Sequence, residues 1–263
     1  MSGLLDALNN TPLGTFAALW LGLIWGSFFN VCIYRLPIGE SLVRHRSRCG
    51  RCASPIVWYH NIPVLSFVWL RGRCARCSEA ISWQYPVVEL VTAGMFLWLV
   101  HRYGWTLRAL VYAVFLSYLL ILSVIDLRHR IIPDELSLSG IPLGIAAALV
   151  TGDLPWIDSV LGVALGGGFF WAVAAAYERF TGREGLGGGD VKLLAMLGAW
   201  LGYRSVLLVI ILSSGLGSLV GAGLILAFGK GMKTAIPFGP FLAVAAVACL
   251  IWGESLQRLW FPG

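Results

Sequence analysis

The chain has 263 residues, of which 58% are hydrophobic and only 12% charged, and its mean hydropathy is +0.81. A soluble domain carries about 25% charged residues, so this composition excludes a soluble globular fold, a disordered chain and a nucleic-acid-binding arm. What remains is an all-α polytopic membrane protein. At about 20 residues per span there is room for about eight helices and one small soluble insert.

The first apolar stretch, about 13–34, contains TFAALWLGLIWGSFFNVCIY and has only Asp6 as a charge before Arg35. It is too long for a signal-peptide core and has no basic segment before it, so it reads as a retained first helix. Arginines 35, 44, 46, 48, 51, 71, 73 and 76 then stand against Glu40 and Glu79. This basic segment is the soluble insert, and the positive-inside rule places it in the cytoplasm. Its arginines are a topology signal and an attraction to anionic lipid rather than a nucleic-acid site. Seven further spans are predicted at about 86–101, 107–125, 136–151, 157–178, 191–202, 205–228 and 235–256. Alternation from an outside N-terminus puts 127–135, 179–190 and 229–234 inside. Arg128, Arg130, Arg179, Arg183, Lys230 and Lys233 lie in those loops, although Arg102, Arg108 and Arg204 fall on the other side. Segment 191–202 is short, as a half-helix or a tilted helix would be. The division is therefore an N-terminal helix (1–36), a cytoplasmic insert (37–84) and a multi-helix core (85–263).

Within the insert, Cys49-Gly-Arg-Cys52 and Cys74-Ala-Arg-Cys77 form two CxxC turns. Each supplies two sulfurs to neighbouring corners of a tetrahedron, which suits a structural zinc ion with no open position. So small an insert builds only a weak core, which a metal staple would reinforce. The competing reading is a pair of redox dithiols, whereas a cytoplasmic location disfavours disulfides. Cys32 and Cys249 lie in apolar helices and read as core residues.

Ionisable residues inside a membrane are functional candidates by default. Asp126 ends the run FLSYLLILSVID, and Asp190 follows Gly187, Gly188 and Gly189 and opens VKLLAMLGAWLG. The topology sets both near cytoplasmic helix ends. Two facing carboxylates can share one proton, one then activating water and the other protonating the leaving amine. The glycines would let a substrate strand or a partner helix approach closely. Other readings make Asp126 a headgroup residue paired with Arg128, and Asp190 a helix N-cap. Glu89 is a structural contact or a site lining, and Asp134 and Glu135 are candidate caps of the following helix. The four histidines share no spacing and read as surface or interface residues.

Several stretches, in order along most of the chain, resemble the bacterial type IV prepilin peptidases. They are GSFFNVCIYRLP (26–37), NIPVLSFVWLRGRC (61–74), ISWQYPVVE (81–89), IDLRHRIIPDELS (125–137), GLGGGDVKLLAMLGAWLG (185–202) and IPFGPFLA (236–243). The resemblance implies an inner-membrane aspartic peptidase of the GxGD type, with Asp126 and Asp190 catalytic and Gly187, Gly188, Gly189 and Lys192 supporting them. It implies removal of the basic leader of prepilins and pseudopilins at the cytoplasmic face. It also implies methylation of the new N-terminal amine with S-adenosylmethionine, tied to the N-terminal part with its zinc insert at Cys49, Cys52, Cys74 and Cys77. Gly26, Asn30, Arg35, Glu89 and Asp134 are methyl-transfer or substrate candidates, as is Pro37. Structurally, Gly26 reads as helix packing, Asn30 as a polar contact, Arg35 as a topology charge and Pro37 as a helix stop. The family commonly has Cys-Pro-x-Cys where this chain has Cys49-Gly-Arg-Cys52. The insert's arginines would repel a basic leader, so docking is expected to use Glu89, Asp134, Glu135 or lipid. Two alternatives stand beside the bifunctional enzyme: a peptidase with the insert as scaffold, and a cation-coupled transporter.

Overall fold

The structure is a computed structural model that describes residues 9, 11–44, 47–182, 187–228 and 236–260, the side chains of 254 and 256–260 excepted. Asp6, His45, Arg46, Arg183, Gly185, Leu186, Lys230 and Lys233, which entered the reading above, lie outside the described residues. The chain divides into two compact units, 1–117 and 118–263.

In the first unit, helix α1 (Pro12–Arg35) starts where Thr11 accepts the Gly14 N–H at 3.1 Å and Pro12 takes a first-turn position, both common helix-start devices. It ends in a single 3₁₀ turn, Leu36–Ile38, closed by Gly39 at φ 66°. Pro37 lies in that turn, just beyond the helix, as expected of a stop. The insert follows, with a one-turn helix α2 (Leu65–Trp69), and then helix α3 (Gln84–Tyr103). No strand occurs among the described residues, only the isolated bridges Arg48–Pro55 and Arg73–Ala80. Helix α1 packs along α3. A Cβ on Gly22 would sit 2.5 Å from the Ala93 Cα, and one on Gly26 would sit 2.6 Å from the Glu89 Cα. These two glycines set the helix separation, as small residues do in membrane helix pairs.

Helix α4 (Leu107–His129) begins in the first unit and ends in the second. The second unit continues with α5 (Asp134–Thr151), α6 (Trp156–Thr181), α7 (Gly188–Leu201), α8 (Tyr203–Phe228) and α9 (Gly239–Trp260). Helix α6 carries a π turn at Ala164–Phe169, which single-span periodicity does not reveal. Helix α7 is the core. It packs against α5, α6, α8 and α9, and every residue from Val191 to Trp200 except Lys192 is buried. Its sequence is apolar on all sides, which is what a fully surrounded helix requires. Gly162 and Gly198 meet backbone to backbone, and Gly166 faces the Leu194 carbonyl. The Ser159 hydroxyl donates to the Ala199 carbonyl at 2.6 Å, and the Trp200 indole to the Gly140 carbonyl at 2.9 Å.

Among the described residues, five helices are long and apolar enough to cross a membrane: Pro12–Ile38, Leu107–His129, Asp134–Thr151, Trp156–Thr181 and Tyr203–Ala227. The other three predicted spans also coincide with helices. Of these, α3 carries Glu89, His101 and Arg102, α7 has 14 residues, and the apolar part of α9 is Gly239–Gly253.

Candidate functional site

Asp126 lies in the last turn of α4, and the chain leaves the helix immediately beyond it. The Arg130 N–H donates to the Asp126 carbonyl at 2.9 Å, with Arg130 at φ 55°. Residues Ile131 and Ile132 then lead to Pro133, which starts α5 from an extended conformation. Asp190 lies in the first turn of α7, which Gly187 opens at φ −62° and ψ 134°. Asp126 and Asp190 thus come from opposite kinds of helix end, yet both line one cavity of about 340 Å³.

Asp126 is only 5% exposed, so its carboxylate is held within the protein rather than at its surface. Asp190 is not a cap, since α7 begins at Gly188 and its cap position is Gly187. Asp134 and Glu135 open α5 without capping it, because that position belongs to Pro133 and no side chain makes a cap hydrogen bond.

The glycines act individually. A Cβ on Gly187 would lie 3.2 Å from the Asp190 carboxylate, and one on Gly189 would lie 3.1 Å from Ile132, whereas Gly188 faces open space. A further residue escapes sequence reasoning. The N–H of Gly239, the first residue of α9, donates to Asp126 Oδ2 at 2.9 Å. A Cβ there would stand 2.8 Å from the same oxygen. The only signal in the sequence is the Pro-Phe-Gly-Pro block within 236–243. Gly239→Ala is expected to displace the Asp126 carboxylate and to lower leader cleavage by about 100-fold, the scale of an angstrom-size misplacement. Steady-state cleavage at matched protein levels checks this, and unchanged kcat/KM would mean that the carboxylate accommodates the methyl group.

Lys192 also lines the cavity, and its Nζ donates to both carboxylate oxygens of Asp134, at 2.7 and 2.8 Å. Asp134 is therefore already engaged by a cation of its own chain. The Glu89 carboxylate is 6% exposed and accepts the Val64 N–H at 2.8 Å, bracing a residue held at φ 59°. Of the three acidic residues expected to dock a basic leader, Glu89 and Asp134 are thus engaged within the chain, and Glu135 is exposed.

In the first unit, Asn30 is buried and donates to the Gly26 and Tyr85 carbonyls at 3.2 and 3.1 Å, while Gln84 donates to its Oδ1 at 3.2 Å. Arg35 is buried too, and donates to the Ser41 and Leu42 carbonyls at 3.0 and 3.1 Å. Its charge folds the start of the insert back onto the end of α1, which a topology signal alone would not do. Gly26, Asn30, Glu89 and the α1–α3 contact form one polar seam within this unit. Cys32 and Cys249 are buried, as expected of core residues.

The four insert cysteines converge on one point, their sulfurs all within 4.8 Å of one another. Both CxxC turns use the same backbone device. The Cys49 N–H donates to the Ser54 carbonyl at 3.0 Å and the Cys74 N–H to the Glu79 carbonyl at 2.8 Å. The residue after each second cysteine, Ala53 and Ser78, adopts φ 53° and 57°. Sulfurs of Cys49 and Cys77, from different turns, are 3.8 Å apart, and a tetrahedron with Zn–S bonds of about 2.3 Å has edges of about 3.8 Å. The Ser54 hydroxyl, and then its backbone amide, lower the Cys52 thiol to about 6, and the Cys77 and Arg76 amides lower Cys74. Cys52 and Cys74 thus favour the thiolate, the form that binds a metal, whereas for Cys77 the Glu79 amide is outweighed by desolvation and the Cys74, Cys52 and Cys49 sulfurs, which push it up to about 12. Two independent redox dithiols would not need this cross-pair convergence, so the donor set fits a metal ion. A Cβ on Gly50 would meet nothing within 4 Å, so the turn does not require glycine and has space there for the proline of the related pattern.

Comparison with known proteins gives two family matches: the Bacterial Peptidase A24 N-terminal domain over residues 20–103, and the Type IV leader peptidase family over residues 113–223. A protein of Aeromonas salmonicida (strain A449) named prepilin leader peptidase/N-methyltransferase is 39% identical, over 99% of this chain and 98% of its own. Proteins of the same name from Pseudomonas putida and Pseudomonas aeruginosa are 39% and 36% identical; the first alignment covers 90% of each chain, and the second 98% of this chain and 97% of the relative. No solved structure matches.

Proposed function

We propose, from the premise that the chain belongs to the type IV leader peptidase family, that it cleaves the leader from type IV prepilins and N-methylates the residue so exposed. The observation that carries the cleavage reading is the convergence of Asp126 and Asp190 on one cavity. In this reading one carboxylate takes a proton from water as the water oxygen attacks the scissile carbonyl. The other gives its proton to the departing amine, and no covalent enzyme intermediate forms. The Gly239 N–H fixes the orientation of Asp126. The open space at Gly188 lets the substrate backbone approach the dyad. Gly187 and Gly189 keep the α7 entrance narrow enough to aim Asp190.

Cys49, Cys52, Cys74 and Cys77 would hold one Zn²⁺, whose contribution is to fold the insert. S-adenosylmethionine is the methyl donor in this reading. Gly26, Asn30, Arg35 and Glu89 are proposed to build the methyl-transfer part, with α1 (1–36) and the insert (37–84) as its framework and residues 85–263 as the peptidase core. All eight long helices are taken to cross a bacterial inner membrane, α7 as the short central one. The insert and both aspartates then face the cytoplasm, where the arginine-rich segments belong under the positive-inside rule. The substrates are prepilins and pseudopilins, with basic leaders in the cytosol and apolar stems in lipid; membrane lipid is the other partner.

Mass spectrometry of a pilin processed by the purified chain tests the proposal directly. The expected spectrum shows loss of the leader together with one added methyl group at the new N-terminus. Cleavage without the added mass would leave a peptidase whose insert serves as a scaffold, and an unprocessed substrate would overturn the proposal.

A further inference from the structure

The Lys192–Asp134 pair is the feature of the second unit that the dyad chemistry leaves unused. Among the described residues, five charged side chains line the cavity: Asp126, Asp134, Asp190, Arg130 and Lys192. They come from the end of α4, the segment after it, the start of α5 and the start of α7. Arg128, His129 and Glu135 are exposed nearby and are not part of the lining. If Asp126 and Asp190 share one proton, the three acidic groups carry two negative charges against two cations, and the lining is neutral among the described residues. That balance depends on Asp134, whose carboxylate holds the Lys192 ammonium by both oxygens at 2.7 and 2.8 Å. The contact is short, and because both side chains are partly exposed its strength is screened by salt. It crosses between helices, so it also fixes where along α7 the ammonium lies.

We propose that Asp134 is a positioning residue: it captures the Lys192 ammonium and keeps it from pairing with the catalytic carboxylates, so that these can retain the proton they share. The inference rests on the dyad reading above. An uncaptured ammonium two residues along α7 from Asp190 would favour the fully ionised dyad, which has no acid to give the leaving amine. An uncaptured Asp134 carboxylate would do the reverse, favouring a doubly protonated dyad with no base.

The two single neutralisations should therefore move the pH–rate profile in opposite directions. The experiment measures kcat/KM for leader removal against pH at low salt, using the full chain in lipid nanodiscs and a purified prepilin. Asp134→Asn is expected to move both limbs toward acid by about half a unit to one unit, and Lys192→Met to move them toward alkali by a similar amount. The double variant D134N/K192M should return the limbs to the wild-type positions even if its maximal rate is lower. Lys192→Arg should leave them in place. A merely structural bridge would lower the rate in every variant without opposed shifts. Limbs that stay fixed in both single variants, or that move the same way, overturn the inference. Asp190→Asn in the same series separates the two levels of the proposal. If it is inactive while the limbs fail to move, only the role of Asp134 falls; if it still cleaves, the dyad reading falls and this inference with it.

Discussion

Asp126→Ala and Asp190→Ala are each expected to reduce leader cleavage by about 10³-fold or more, the scale of losing a general acid or base. The double variant should be no worse than either single one, because residues that act as a unit lose their function together. Asp126→Asn sharpens the test. Its side-chain oxygen can still accept the Gly239 N–H, which Asp126 accepts at 2.9 Å, but the amide carries no exchangeable acid proton. Near-complete loss in that variant assigns the role to proton transfer rather than to the hydrogen bond. Single-turnover cleavage with matched protein levels is the measurement. Activity that survives both alanine substitutions would sink the aspartic mechanism and revive a transporter reading of the two membrane carboxylates.

The second large effect belongs to the cysteines. Replacing Cys52 and Cys77 by Ser, one from each turn, leaves two thiolates of four. Structural zinc sites in small peptides contribute about 10–16 kcal/mol of apparent binding energy, which is folding energy for the surrounding chain. An insert of this size cannot replace that from apolar burial: Trp58, Trp69 and Trp83 are all more than two-thirds exposed. Metal content is expected to fall from about one ion per chain to none, and tryptic cleavage at the insert arginines to become rapid. Methylation should be lost with the insert. Leader cleavage should survive to a greater extent, since the described partners of both aspartates lie in the second unit. An intact, protease-resistant insert without metal would show that the fold stands on other contacts.

The contrast between what could and could not be read from the sequence follows the range of each interaction. Helix α1 was expected at about 13–34 and spans Pro12–Arg35, because an apolar run bounded by Thr11 and Pro37 carries its own start and stop. The two CxxC turns are likewise local, and their spacing alone predicts a shared cluster. The π turn in α6 is not visible, since its extra residue changes the helical phase without changing the apolar character of ALGGGF. Individual hydrogen bonds between distant segments escaped. The Gly239 N–H on Asp126, Lys192 on Asp134 and the Val64 N–H on Glu89 each join residues whose meeting depends on the packed helices. For the same reason Asp134 read as a docking group for the leader, when its carboxylate is occupied from across the fold. Arg35 read structurally as a topology charge because nothing in its neighbours announces that Ser41 and Leu42 will turn their carbonyls toward it.

The brevity of α7 bears on how water reaches the reaction. Its 14 residues rise about 21 Å at 1.5 Å per residue, against a hydrocarbon layer of about 30 Å. Such a helix, enclosed by α5, α6, α8 and α9, falls short of that thickness, so a crossing built on it implies a locally thinner layer. Its Asp190 end opens on the cavity, and if the shortfall lies at that end, solvent would descend there below the plane of the lipid carbonyls. Hydrolysis would then proceed in a shallow aqueous notch sunk into the bilayer. The apolar stem of a prepilin could stay at its own depth in lipid while the bond before it is cut.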